Sequence, residues 1–119
     1  MSNRRTFEQL TERERFELAA KAAGLGPLDF DYAEREGHGL YIGPRLPMPT
    51  GVVMAAMHRY WRPLADDGDA LRLAVAIPSL NLQWVIAEAY QAADTEAMRL
   101  DYVRRAIFRV AVEFGSRMP

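Results

Sequence analysis

Two histidines, His38 and His58, and one dense acidic run, Asp66-Asp67-Gly68-Asp69, are the groups whose types and spacing bear most directly on chemistry. The acidic run invites a Ca²⁺ or Mg²⁺ reading. A calcium loop, however, needs ligands at alternating positions, a glycine at its sixth and a glutamate at its twelfth. Counted from Asp66, the twelfth position is Ile77. The aspartates instead suit the first turn of a helix, where the positive end of the dipole stabilises carboxylates. In that exposed setting all are expected to stay ionised, so none is poised as a general acid. The two histidines have no ligand-spaced partner, and the absence of cysteine removes a thiol nucleophile, a disulfide framework and a Cys-ligated zinc site. Ser2, Ser79 and Ser116 stand in no nucleophile motif, and Gly24-Leu25-Gly26 lacks the phosphate-binding glycine pattern. No catalytic set, metal or cofactor is expected, although His58 with Asp66 to Asp69 is the one place a hydrolase would be sought.

Two features favour binding. Of the fifteen basic residues only Lys21 is lysine, and four of the arginines, Arg99, Arg104, Arg105 and Arg109, fall mainly on one side of a helix near the C-terminal end. The planar guanidinium fork suits carboxylates and phosphates, though such a face is also what an ordinary solvated helix presents. The second feature is the loop 43–51, Gly-Pro-Arg-Leu-Pro-Met-Pro-Thr-Gly, which offers Arg45, Leu46 and Met48 on a frame stiffened by three prolines. Little entropy is lost when such a frame docks, and the same side chains could equally cover a sheet edge. The aromatic residues Tyr60, Trp61, Trp84, Tyr90 and Tyr102 read as core rather than as a platform for stacking bases.

These residues need elements to position them. Thr11-Glu12-Arg13-Glu14 has the form of a capping box, Thr6 with Gln9 offers an earlier start, and Gly24 stands where a helix ends, so a helix is predicted from 7 or 12 to 23. Phe30, Tyr32 and Leu40 to Ile42 flank a Gly37-His38-Gly39 turn and predict a hairpin. Residues 52–61 alternate and tilt toward strand. Asp66 caps a helix that stops by Pro78. Leu80, Leu82, Trp84 and Ile86 alternate with Asn81 and Gln83 and predict a half-buried strand. Asp94 or Thr95 caps a last helix on a stripe of Met98, Tyr102, Ala106, Val110 and Phe114, which Gly115 ends, with Asp101 and Arg105 paired four residues apart. The expected architecture is α+β, a single-domain sandwich over residues 1–119, with a small, mostly antiparallel sheet of about three strands packed with about three helices.

With 119 residues, half of them hydrophobic and including two Trp, five Tyr and five Phe, the chain is expected to fold alone around one core. A formal net charge of −1 gives no bulk attraction for nucleic acid or an anionic membrane. The N-terminal stretch is charged and no apolar run has the length of a membrane span, so a cytoplasmic protein is expected.

Three blocks carry a resemblance. Glu17-Leu18-Ala19-Ala20-Lys21-Ala22-Ala23-Gly24, Tyr60-Trp61-Arg62-Pro63-Leu64-Ala65-Asp66-Asp67-Gly68-Asp69-Ala70-Leu71-Arg72-Leu73-Ala74-Val75 and Arg104-Arg105-Ala106-Ile107-Phe108-Arg109-Val110-Ala111-Val112-Glu113-Phe114-Gly115 resemble small phage and prophage proteins described as having a phage α-β-α sandwich domain. The central block is the most specific, although Arg62 stands where that family usually has Asn, and residues 38 to 59 match nothing in the pattern. The resemblance implies a phage or prophage origin and an α+β sandwich, and brings no reaction and no catalytic residues. The leading expectation is a phage-encoded accessory protein without enzymatic activity that binds a bacterial host protein, such as an inhibitor of a host defence complex in the manner of anti-CRISPR proteins. The alternative is a binder of a nucleotide or similar anion through Arg104, Arg105 or Arg109 and a nearby aromatic. Neither a membrane nor a nucleic acid is an expected partner, and a homodimer is open.

Overall fold

The structure is a computed structural model that describes residues 5–25, 28, 41–43 and 59–119. Its body is helical. A 3-10 turn, Phe7–Gln9, precedes α1 (Glu12–Ala22), and then follow a short ladder of β1 (Tyr41–Gly43) with β2 (Arg59–Trp61), α2 (Asp67–Val75), α3 (Leu82–Ala92) and α4 (Glu96–Arg117). The expected α+β sandwich is therefore corrected to a helical bundle. Among the described residues, β pairing is confined to one antiparallel register, Tyr41 with Trp61, Ile42 with Tyr60 and Gly43 with Arg59, and there is no three-stranded sheet. The turn expected at Gly37-His38-Gly39, most of the strand expected over 52–61, both histidines, and the loop residues Arg45, Leu46 and Met48 lie outside the described residues.

The helix starts follow the local chemistry of the sequence. Glu14 N–H donates to Thr11 Oγ1 at 3.1 Å while Thr11 N–H donates to Glu14 Oε1 at 2.9 Å, a closed capping box. The earlier start at Thr6 makes only the 3-10 turn, with Thr6 N–H donating to Gln9 Oε1 at 2.8 Å. At the far end of α1, Gly24 takes φ +75°, Leu25 N–H reaches Ala20 O at 2.9 Å and Gly24 N–H reaches Lys21 O at 3.1 Å. This is a Schellman ending, which a residue with a Cβ adopts only under strain. Asp66, Asn81 and Thr95 cap α2, α3 and α4 through the backbone amides of Asp69, Trp84 and Met98, at 2.8, 3.0 and 3.2 Å.

The strand expected over Leu80 to Ile86 is replaced by α3. Seven residues of alternation fit either structure, but Ala87-Glu88-Ala89-Tyr90-Gln91-Ala92 continues with helix formers, and Asn81 supplies the cap that commits the segment. The change of period turns Val85 and Ala89 inward and leaves Trp84 and Ile86 exposed.

α4 organises the whole. It spans 22 residues, about 33 Å at the α-helical rise, and α1, α2, α3 and the 3-10 turn each pack on it. Its buried face is Ile107, Phe108, Ala111, Val112 and Gly115. The expected stripe of Met98, Tyr102, Ala106, Val110 and Phe114 is instead its flank, half-buried except for Met98, which is exposed. Gly115 does not end the helix; it lies within α4 where α1 crosses. Phe16 of α1 anchors the core, with its ring 4.8 Å from that of Phe108 and edge-on to Trp61 at 6.2 Å. Leu73 and Ile77 close the core from the α2 side.

Candidate functional site

The arginines of α4 do not form one free face. Arg104 turns inward. Its Nε donates to Leu64 O at 3.0 Å and its guanidinium meets Asp67 at 2.6 Å, so it straps the turn 63–65 and the start of α2 to α4. Arg99 lies over the Tyr90 ring, 4.5 Å from its centroid, and donates to Asp94 O at 3.0 Å, fastening α3 to α4. The Arg99 Nε is buried and has no hydrogen-bond partner among the described residues. Arg105 pairs with Asp101 at 2.9 Å, as the four-residue spacing predicts. Arg109 pairs with Glu8 at 2.8 Å and approaches Glu113 at 3.5 Å.

Asp69 departs from the exposed setting expected for the acidic run. Asp66 and Asp67 are exposed, but Asp69 is 4 % exposed. Its Oδ2 accepts Arg62 N–H at 3.0 Å and its Oδ1 accepts an Arg72 Nη at 2.8 Å. The carboxylate holds the turn before α2 in place, which is a structural use of the residue.

Arg105 and Arg109 do share one feature, a cleft of about 490 Å³ between the 3-10 turn, α1, the 63–65 turn and α4. Phe16 and Phe108 form its floor, and Leu64 and Phe7 line its sides. Arg15 of α1 joins the two α4 arginines at the rim, where Glu12 and Asp101 supply negative charge. Phe7 holds two of the cations, for the Arg15 and Arg109 guanidiniums lie 4.0 and 4.9 Å from its ring centroid. Sequence reasoning put Arg105 and Arg109 beside an aromatic but missed Arg15, because the cleft depends on the crossing of α1 with α4.

Carboxylates near this end respond to the surrounding donors. The Glu8 carboxyl is held below the usual carboxylate range, first by a hydrogen bond from its own backbone amide and then by Arg109. That of Glu14 is held low by the Thr11 amide and then by Arg5, with which it is ion-paired. A carboxyl whose pKa is lower in the folded chain stabilises the fold above its ordinary value, and that contribution disappears as pH falls through the lowered value. Gln also closes a capping box, so Glu14→Gln isolates the charge. Its melting temperature is expected to lie below that of the unchanged chain at pH 7 and to converge with it as pH falls below the ordinary carboxylate range and Glu14 is protonated. A constant gap across that range in thermal melts would sink this assignment.

The second functional signal is apolar. Trp84 and Tyr90 on α3 are 62 % and 65 % exposed, and Ile86, one turn before Tyr90, is exposed as well. The exposed positions of α3 carry no charge, since its one ionisable carboxylate, Glu88, is half-buried. Sequence reasoning assigned Trp84 and Tyr90 to the core. The signal that could have placed them outside is the helical period, which cannot bury Val85, Ala89 and Trp84 on one face.

No protein-family model, curated protein or solved structure matches the chain. Among the described residues, no helix is long and apolar enough to cross a membrane.

Proposed function

We propose that this is a phage-encoded accessory protein without enzymatic activity, which binds and modulates a bacterial host protein, in its concrete form as an inhibitor of a host defence complex. The observation that carries the binding part is that α3 has Trp84, Ile86 and Tyr90 in solvent and carries no charged residue of its own among its exposed positions, the Arg99 guanidinium over Tyr90 coming from α4. Solvated helix faces ordinarily carry charge, whereas the centres of protein interfaces are depleted of charge and enriched in Trp and Tyr. Leaving two large aromatic side chains mostly in water forgoes burial that each would gain in a complex. The phage origin rests on the three resembling blocks. The contact surface proposed here is α3; of the residues expected from sequence, Arg99, Arg104, Arg105 and Arg109 have partners within the chain, and Arg45, Leu46 and Met48 lie outside the described residues.

The test is affinity capture of the tagged chain from lysate of a bacterial host, run beside the Trp84→Ala/Tyr90→Ala double variant. One host complex is expected with the unchanged chain, bound at least about 100-fold more weakly by the variant, as loss of two aromatic anchors implies. Both side chains are exposed, so the loss in stability is that of the Arg99 contact with Tyr90, about 0.5–1 kcal/mol, and the variant should melt within about 5 °C of the parent. A complex retained undiminished by the variant, or no host protein bound at micromolar concentration, would refute the proposal.

A further inference from the structure

We propose that the cleft between the 3-10 turn, α1 and α4 is a binding site for a small organic monoanion, a carboxylate carried on an aromatic or aliphatic body. The cleft volume of about 490 Å³ lies within the range of small-molecule sites, which is roughly 300–1,000 Å³. Its floor selects the body of the ligand. Phe16 and Phe108 meet there at 4.8 Å, and Phe7 stands at the side, so an apolar group entering the cleft finds three aromatic rings.

The rim selects the head. Arg105 is bonded to Asp101 and Arg109 to Glu8, but among the described residues the Arg15 side chain donates a hydrogen bond only from Nε, to Phe7 O at 3.0 Å. That bond and the stacking on Phe7 fix the guanidinium plane, leaving the Nη groups for an incoming acceptor. The charge balance argues for one negative charge rather than several. Arg109 is matched by Glu8 and Arg105 by Asp101, which leaves Arg15 as the guanidinium without an ion pair among the described residues, and a phosphate dianion or polyphosphate would meet the charges of Glu12 and Asp101 in the same cleft. The site therefore narrows the anion expected from sequence to a carboxylate with an apolar body. It is independent of the α3 surface, and the two can fail separately.

The probe is 3-phenylpropionate, titrated into the full chain and followed by amide NMR shifts, with 3-phenylpropionamide and inorganic phosphate run in parallel. Saturable shifts are expected at Phe7, Arg15, Phe108 and their neighbours. Binding should be at least about tenfold weaker for the amide and for Arg15→Gln, the loss of one hydrogen bond between charged groups. Trp84→Ala should bind as the parent does. Because Arg15 also fastens the 3-10 turn, Arg105→Gln is a second variant, expected to weaken binding several-fold while keeping the fold. Equal binding of acid and amide, phosphate binding at least as tightly, shifts that map away from the cleft, or no saturation at millimolar ligand would each overturn the proposal. Should Arg15→Gln not fold, the acid–amide comparison on the unchanged chain decides the matter.

Discussion

Replacing Gly115 by alanine is expected to lower stability by about 2–3 kcal/mol, in a helix where alanine is otherwise the better residue by roughly 1 kcal/mol. A Cβ built at Gly115 overlaps the carbonyl oxygen of Leu18 and stands 2.8 Å from its carbonyl carbon. Both atoms belong to the backbone of α1, so no rotamer change relieves the overlap, and the two helices must move apart. The crossing is lined with small residues, Ala19 and Ala111 among them, each with no exposed surface. Separating it would open space around every neighbour, including the Phe16–Phe108 contact. For a chain of this size the loss corresponds to a fall of about 10 °C in melting temperature. Gly68→Ala is the control, since a Cβ there meets only side-chain ends, Asp66 Oδ1 at 3.1 Å and an Arg72 Nη at 3.3 Å, and should cost no more than the Asp66 cap it crowds, about 1 kcal/mol. A Gly115→Ala protein melting with the parent would mean that α1 and α4 do not meet as described.

Asp69→Ala is expected to cost about 2–3 kcal/mol. Most of the loss comes from the Arg62 amide, which loses a carboxylate acceptor at 3.0 Å in a partly buried turn. The Arg72 pair contributes little, because that side chain is largely in solvent, where ion pairs are worth roughly 0–1 kcal/mol. Asp66→Ala removes only the cap of α2 and should cost about 1 kcal/mol. Urea denaturation of the two variants separates the readings. Equal losses would show that Asp69 acts merely as a second helix-start carboxylate.

What was legible in the sequence was what neighbouring residues decide between themselves. Thr11 with Glu14, the Gly24 ending and the caps at Asp66 and Thr95 are contacts within a few residues, so their residue types disclose them. The Asp101–Arg105 pair belongs to the same class. The errors arose where a distant partner decides. Residues 80–86 alternate well enough for a strand, and only packing on α4 fixes which residues of the helix turn inward. Gly115 resembles a helix ending until Leu18 is known to lie against it. The cleft was half visible, because the α4 arginines announce themselves by spacing while Arg15 arrives from a helix about 90 positions earlier. Asp69 was the hardest case, for three aspartates in four residues look alike until one of them is covered.

The dependence of α1, α2 and α3 on α4 bears on how the protein is born. Synthesis proceeds from the N-terminal side, and the helix that supplies each of the others with its main partner is the last of the described elements to be made. At about 5–20 residues per second, the 22 residues of α4 occupy the ribosome for roughly one to four seconds, during which the apolar faces of the earlier helices wait without it. A nascent chain stalled before residue 96 should be captured by holdase chaperones and cut readily by protease. Release of the completed α4 should abolish both together, making biogenesis a single late event rather than a progressive accretion of helices.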